Sequence, residues 1–171
     1  MNTRGRLIAA GILLLMIVYA ISVQQYNIIV YLAGGLAYLL WSHLREGTVY
    51  LATQAFHKQD YEKTKVLLAE ISNPDRLRKR RRNFYEFMMG NIALKEDRIE
   101  DAEYHFQLAS RLPWRKDNEK AMVLINLANI GLRNKTYDRV VAYLDVAEKL
   151  KLTARQKSIV EKIRNEVNKY T

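Results

Sequence analysis

The side chains that could do acid–base, metal or nucleophilic work are few and scattered in this sequence. The three histidines, His43, His57 and His105, stand far apart, with no His-x-x-x-His spacing to hold a metal. No cysteine occurs in the 171 residues, which excludes disulfides, thiolate nucleophiles and cysteine-bearing zinc sites. No glycine-rich phosphate loop is present, because the pair Gly34-Gly35 lies inside an apolar run. Glu96, Asp97, Glu100 and Asp101 cluster at a polar turn, where acidic side chains favour the start of the following helix. The expectation is that the protein is not an enzyme and uses neither a cofactor nor a metal.

Positive charge is the denser signal. The formal net charge is +10, and Arg76-Leu77-Arg78-Lys79-Arg80-Arg81-Arg82 supplies six cations of it in one run. Set at a helix N-terminus, each charge in the first turn opposes the macrodipole by about 0.3–1 kcal/mol, so local stability does not account for the run. Arg76, Arg78, Lys79, Arg80, Arg81 and Arg82 suit anionic lipid headgroups, each contributing about 1 kcal/mol near a membrane surface. An acidic partner would meet the same charges, and a solvated loop is the plain alternative. The string R-K-R-R-R also has the composition of a nuclear-import or nucleic-acid patch; nucleic acid is disfavoured by what precedes it in the chain. Two helix starts bracket the run by spacing, Ser72 with Asp75 and Asn83 with Glu86.

The elements that must position these residues begin with grease. Before Arg45 the only charges are Arg4 and Arg6. Leu7 to Val23 is an unbroken apolar or neutral run, and at ~1.5 Å per residue it spans roughly 25 Å, enough for a bilayer core. Gln24 to Asn27 interrupts it, and a second run follows from Ile28 to about Leu44. Gly11, Gly34 and Gly35 would let helices pack closely in lipid, and Tyr26, Tyr38 and Trp41 stand where an interfacial aromatic belt would place them. Residues 1–45 therefore read as a transmembrane hairpin with spans of about 7–23 and 28–44. Arginines flank both outer ends while the connecting loop is uncharged, which puts both termini in the cytoplasm. The expected location is integral to a membrane, a bacterial cytoplasmic membrane in this reading. Arg4, Arg6, Ala20 and Ser22 also suit a cleaved signal peptide; the second run would then remain as a stop-transfer span, with the same orientation.

Residues 46–171 carry an internal echo of 38 residues. Met89, Gly90, Ala93, Ile99, Ala102, Phe106 and Ala109 align with Leu51, Ala52, Ala55, Tyr61, Thr64, Leu68 and Ile71 upstream. Downstream they align with Leu127, Ala128, Gly131, Tyr137, Val140, Leu144 and Ala147. Polar turns, His57 to Asp60 and Glu96 to Arg98, divide helix from helix. This pattern, clearest in Phe84 to Pro113, resembles the tetratricopeptide repeat, whose period is about 34 residues. It departs from the family in that longer period and at Thr64 and Val140, where the family prefers alanine. The fold class is then all-α: a two-helix transmembrane hairpin followed by an α-solenoid of three such helix pairs, about 46–73, 76–113 and 117–151. Thr153 caps a last helix through Tyr170, whose stripe of Ile159, Val160, Ile163 and Val167 covers the end of the stack.

The resemblance implies a concave groove lined by the first helix of each pair. Its positions here are Tyr50, Thr53 and His57; Phe84, Phe87, Met88, Asn91 and Lys95; and Met122, Ile125, Asn126, Asn129 and Arg133. Asn91 and Lys95 share one helix face by spacing, as do Asn126, Asn129 and Arg133. Asparagine amides can both donate to and accept from a peptide backbone, and Lys95 and Arg133 would meet carboxylates. Phe87 and Ile125 stand where the family's carboxylate clamps carry lysine, which argues against a C-terminal carboxylate as ligand. The expected function is a membrane-anchored cytoplasmic adaptor that recruits a protein partner, an acidic or mixed apolar-acidic segment. The alternative is an accessory subunit of a larger membrane complex, such as a transporter, synthase or secretion machine, held through the hairpin.

Overall fold

The structure, a computed structural model, describes residues 3–24, 26–46 and 48–170. The side chains of residues 3, 4, 6, 7, 26, 39, 40 and 42–46 lie outside the described set. The described residues are helical, with no strand among them. The chain divides into two compact units, Met1–Arg81 and Arg82–Thr171.

The first unit contains two antiparallel pairs. Helices α1 (Thr3–Ser22) and α2 (Tyr26–Glu46) pack on each other, as do α3 (Val49–His57) and α4 (Tyr61–Ala69). Most of the exposed large apolar side chains among the described residues lie on the first pair: Leu15 is 72% exposed, Val30 71% and Tyr31 81%. Among the described residues no helix is long and apolar enough to cross a membrane. The expected spans 7–23 and 28–44 include side chains outside that set, residues 7, 39, 40 and 42–44. Of the glycines expected to bring helices together, only Gly35 faces the neighbouring helix: a β-carbon added there would lie 3.9 Å from Leu13 Cδ1. A β-carbon at Gly11 or Gly34 would meet nothing within 4 Å.

The second unit holds the body of α5 (Lys79–Lys95), then α6 (Ile99–Arg111), α7 (Asp117–Arg133), α8 (Tyr137–Glu148) and α9 (Ala154–Val167). The 38-residue echo is written into its backbone and into that of the first unit. Gln59, Asp97 and Lys135 each turn left-handed, with φ of 61°, 58° and 56°, and after each the next residue's N–H reaches back five positions. Asp60 donates to Ala55, Arg98 to Ala93 and Thr136 to Gly131, at 3.0, 2.8 and 2.9 Å. This is one helix-ending turn used three times.

Packing follows the same period. Thr64, Ala102 and Val140 are buried, and so are Leu68, Phe106 and Leu144. Bulk is matched by its absence opposite. A β-carbon at Gly90 would lie 2.8–3.0 Å from the Phe106 ring, and one at Gly131 would lie 2.8 Å from Val140 Cγ2. The residue facing Val140 is Gly131, which allows the close approach. Thr64 stays buried by donating its hydroxyl to the Asp60 carbonyl at 2.7 Å.

Three boundary expectations need correction. The connection after α4 is capped by Asn73, not Ser72: its Oδ1 accepts from Asp75 N at 3.0 Å and opens a 3-10 turn, Pro74–Arg76. Helix α5 starts at Lys79, so Asn83 is no cap; it is buried and donates to the Pro113 carbonyl at 2.6 Å. Helix α9 begins as expected after Thr153, in a capping box with Gln156, but ends at Val167 and not at Tyr170. Val160, Ile163 and Val167 bury its stripe against α7 and α8.

Candidate partner-binding groove

Helices α5 and α7 carry the groove positions of the second unit, and the structure divides them. Met88 and Ile125 are each 1% exposed, so neither can line an accessible groove. A helix of a stacked array contacts neighbours on more than one side, and these two positions fall on a buried side; Ile125 belongs to the core shared with α8 and α9. Phe84 and Phe87 are half-buried and packed: both rings stand edge-on to Trp114, with centroids 5.2 and 6.1 Å away. Phe87 also tilts against Phe106 at 6.1 Å. These aromatic contacts hold the connection from α6 to α7, with Trp114 Nε1 donating to the Ala109 carbonyl at 2.9 Å.

What stays on the open side is polar. Lys95, Asn129 and Arg133 are exposed, while Asn91, Met122 and Asn126 are half-buried. Asn91 donates one amide hydrogen to its own helix, at the Phe87 carbonyl 2.7 Å away. Arg133 is bonded to Asp97 at 2.9 Å, an exposed pair of little strength that holds the guanidinium beside the α5–α6 turn. In the first unit, Tyr50 and His57 are exposed, and Thr53 donates its hydroxyl to the Val49 carbonyl at 2.8 Å.

Sequence reasoning missed an ionic cluster between α5 and α6. Glu86, read above as half of a capping pair, has a side chain 1% exposed, salt-bridged by Arg82 Nε and lying 2.6 Å from His105 Nδ1. The signal was available: Arg82 and Glu86 are four apart on one helix, and a carboxylate in an otherwise apolar packing face needs a partner. Arg82 is therefore a structural cation and not one of the surface run. Burial, with the Glu86 charge beside it, raises the Tyr85 phenol above its ordinary value, against the lowering effect of Arg82. Among the described residues no three His, Asp or Glu side chains stand close enough to hold a metal ion.

The basic run thus splits three ways. Arg82 is committed to Glu86; Arg78 and Arg81 lie over the rings of Trp41 and Tyr50, at 4.8 and 5.9 Å; Arg76, Lys79 and Arg80 are exposed. Leu77, in the second position of the run, is buried. No family model, curated protein or solved structure matches this chain.

Proposed function

We propose that this protein is a membrane-anchored adaptor, its N-terminal hairpin lipid-embedded and its tetratricopeptide-like helix pairs on the cytoplasmic side. The reading is carried by the change of surface within one chain. From Ile8 to Trp41 large apolar side chains face outward, a surface far larger than a soluble monomer tolerates. The helix pairs after it bury most of their large apolar residues and leave few exposed, Tyr50, Val66, Tyr104 and Val146 among them. Helices of 20 and 21 residues reach roughly 30 Å at ~1.5 Å per residue, the thickness of a hydrocarbon core. By the described residues alone neither is long and apolar enough to cross it; the two spans count residues 7, 39, 40 and 42–44 from the sequence as well. Asn91, Lys95, Asn129 and Arg133 then form the recruiting face for an acidic or mixed apolar-acidic segment. Tethering scaffold and partner to one surface raises their effective concentration without new contacts.

Two measurements test it. The full-length protein is expected to stay in the membrane pellet through alkaline carbonate; release into the supernatant ends the anchor. In-cell crosslinking with Asn91→Ala, Lys95→Glu and Asn129→Ala combined is expected to lose specific crosslinked species, and an unchanged set removes the groove.

One observation favours the accessory-subunit reading. Gly11 and Gly34 face open space, so each offers a close-approach surface to a helix of another protein. On that reading Gly34→Leu dissociates a complex that co-purifies in mild detergent. Gly34 is a better test than Gly35, whose substitution would also disturb α1. Survival of the complex leaves the hairpin as an anchor alone.

A further inference from the structure

The fold brings the basic run to the end of an apolar helix. Arg78 sits over Trp41, 4.8 Å from the ring centroid, and Trp41 lies near the C-terminal end of α2, 6.2 Å from Tyr38 in a tilted ring contact. Arg81 is anchored similarly, over Tyr50 of α3. Two arginines laid on aromatic rings, with Leu77 of the same run buried, constrain where the remaining cations stand. Arg76, Lys79 and Arg80 are left exposed beside them. The first turn of α5 carries no acidic residue; the carboxylate adjoining the run is Asp75, in the 3-10 turn with Arg76.

Trp and Tyr at the end of an apolar helix mark the level of lipid headgroups. We infer that Arg76, Lys79 and Arg80, held at that level by the Arg78–Trp41 contact, form a binding surface for anionic phospholipid headgroups. The inference rests on the membrane-anchor reading and adds a lipid class to it. Phosphate oxygens would supply the negative charge that the start of α5 lacks, so the same contact steadies that helix start. Lipid is favoured over an acidic protein because Arg78, in the same run as these cations, is docked on Trp41 near the end of the apolar helix. Each basic side chain near a membrane surface is worth about five-fold in partitioning. Three such residues therefore predict at least ten-fold local enrichment of anionic over zwitterionic lipid, weakened by salt.

The test uses the full-length protein carrying Trp114→Phe, so that Trp41 is the only tryptophan, in phosphatidylcholine vesicles containing trace dansyl-phosphatidylglycerol or dansyl-phosphatidylcholine. Energy transfer from Trp41 is expected to be several-fold more efficient to the anionic probe, and the preference should fall in 0.5 M salt. Combining Arg76→Gln, Lys79→Gln and Arg80→Gln should abolish it, with helicity by circular dichroism unchanged. Flotation of every sample with vesicles separates the two readings. Protein that fails to float overturns the anchor and this inference with it. Protein that floats but transfers equally to both probes overturns the lipid site alone and leaves the patch to an acidic protein.

Discussion

Phe106→Ala is expected to cost the Arg82–Thr171 unit about 3–5 kcal/mol, the usual penalty for emptying a fully buried aromatic site. Phe106 has no exposed surface and sits in the cluster shared by α5, α6 and α7. The shift is read from the denaturation midpoint, followed by Trp114 fluorescence in a Trp41→Phe background, since Trp114 packs on that cluster. The sharper result concerns the facing glycine. In the native background Gly90→Ala gains about 1 kcal/mol of helix propensity. It also forces a methyl against a ring 2.8–3.0 Å away, and overpacking of that kind costs about 1–3 kcal/mol. The net change should be a loss. In the Phe106→Ala background the ring is gone, the methyl enters empty space, and Gly90→Ala should stabilise. The sign reverses with the partner. Equal effects in the two backgrounds would mean that Gly90 is not there for close approach.

Arg82→Ala is expected to cost about 3 kcal/mol, whereas Arg80→Ala should stay within about 0.5 kcal/mol. The two residues are of one type, two positions apart, in one run. They differ in what they face: Arg80 faces solvent, while Arg82 bridges a carboxylate with 1% of its side chain exposed. Removing the guanidinium leaves that carboxylate with His105 as its remaining partner. The cost stays at the low end for a broken buried pair because the Arg82 side chain is itself 18% exposed. Replacing Arg82 and Glu86 together, by Met and Leu, should recover most of the loss, because a buried ion pair gives little net stability over an apolar pair of similar volume. If Arg82→Ala and Arg80→Ala shift the midpoint alike, the cluster is not a structural pair.

The period, and with it the order of elements, is legible in the residues alone. Apolar residues recurring at helical spacing, broken by polar turns 38 residues apart, allow few arrangements other than stacked helix pairs. Hence the left-handed residues Gln59, Asp97 and Lys135 recur at that interval. Local chemistry also fixed the start of α9, where Thr153 and Gln156 satisfy each other within one turn. Tertiary structure decided which side of α5 and α7 faces solvent. Helical spacing shows that residues share a face, not which face the neighbours cover, so Met88 and Ile125 looked as open as Asn129. It decided, too, the fate of each charge in 76–82. Of the six cations Arg82 alone has a glutamate four residues on; packing buried that carboxylate, laid Arg78 and Arg81 on aromatic rings, and left Arg76, Lys79 and Arg80 at the surface. The reason is physical: a charge is defined by its surroundings, and beyond the i+4 partner Glu86 these came from His105 of α6, Trp41 of α2 and Tyr50 of α3, which lie farther away in the chain.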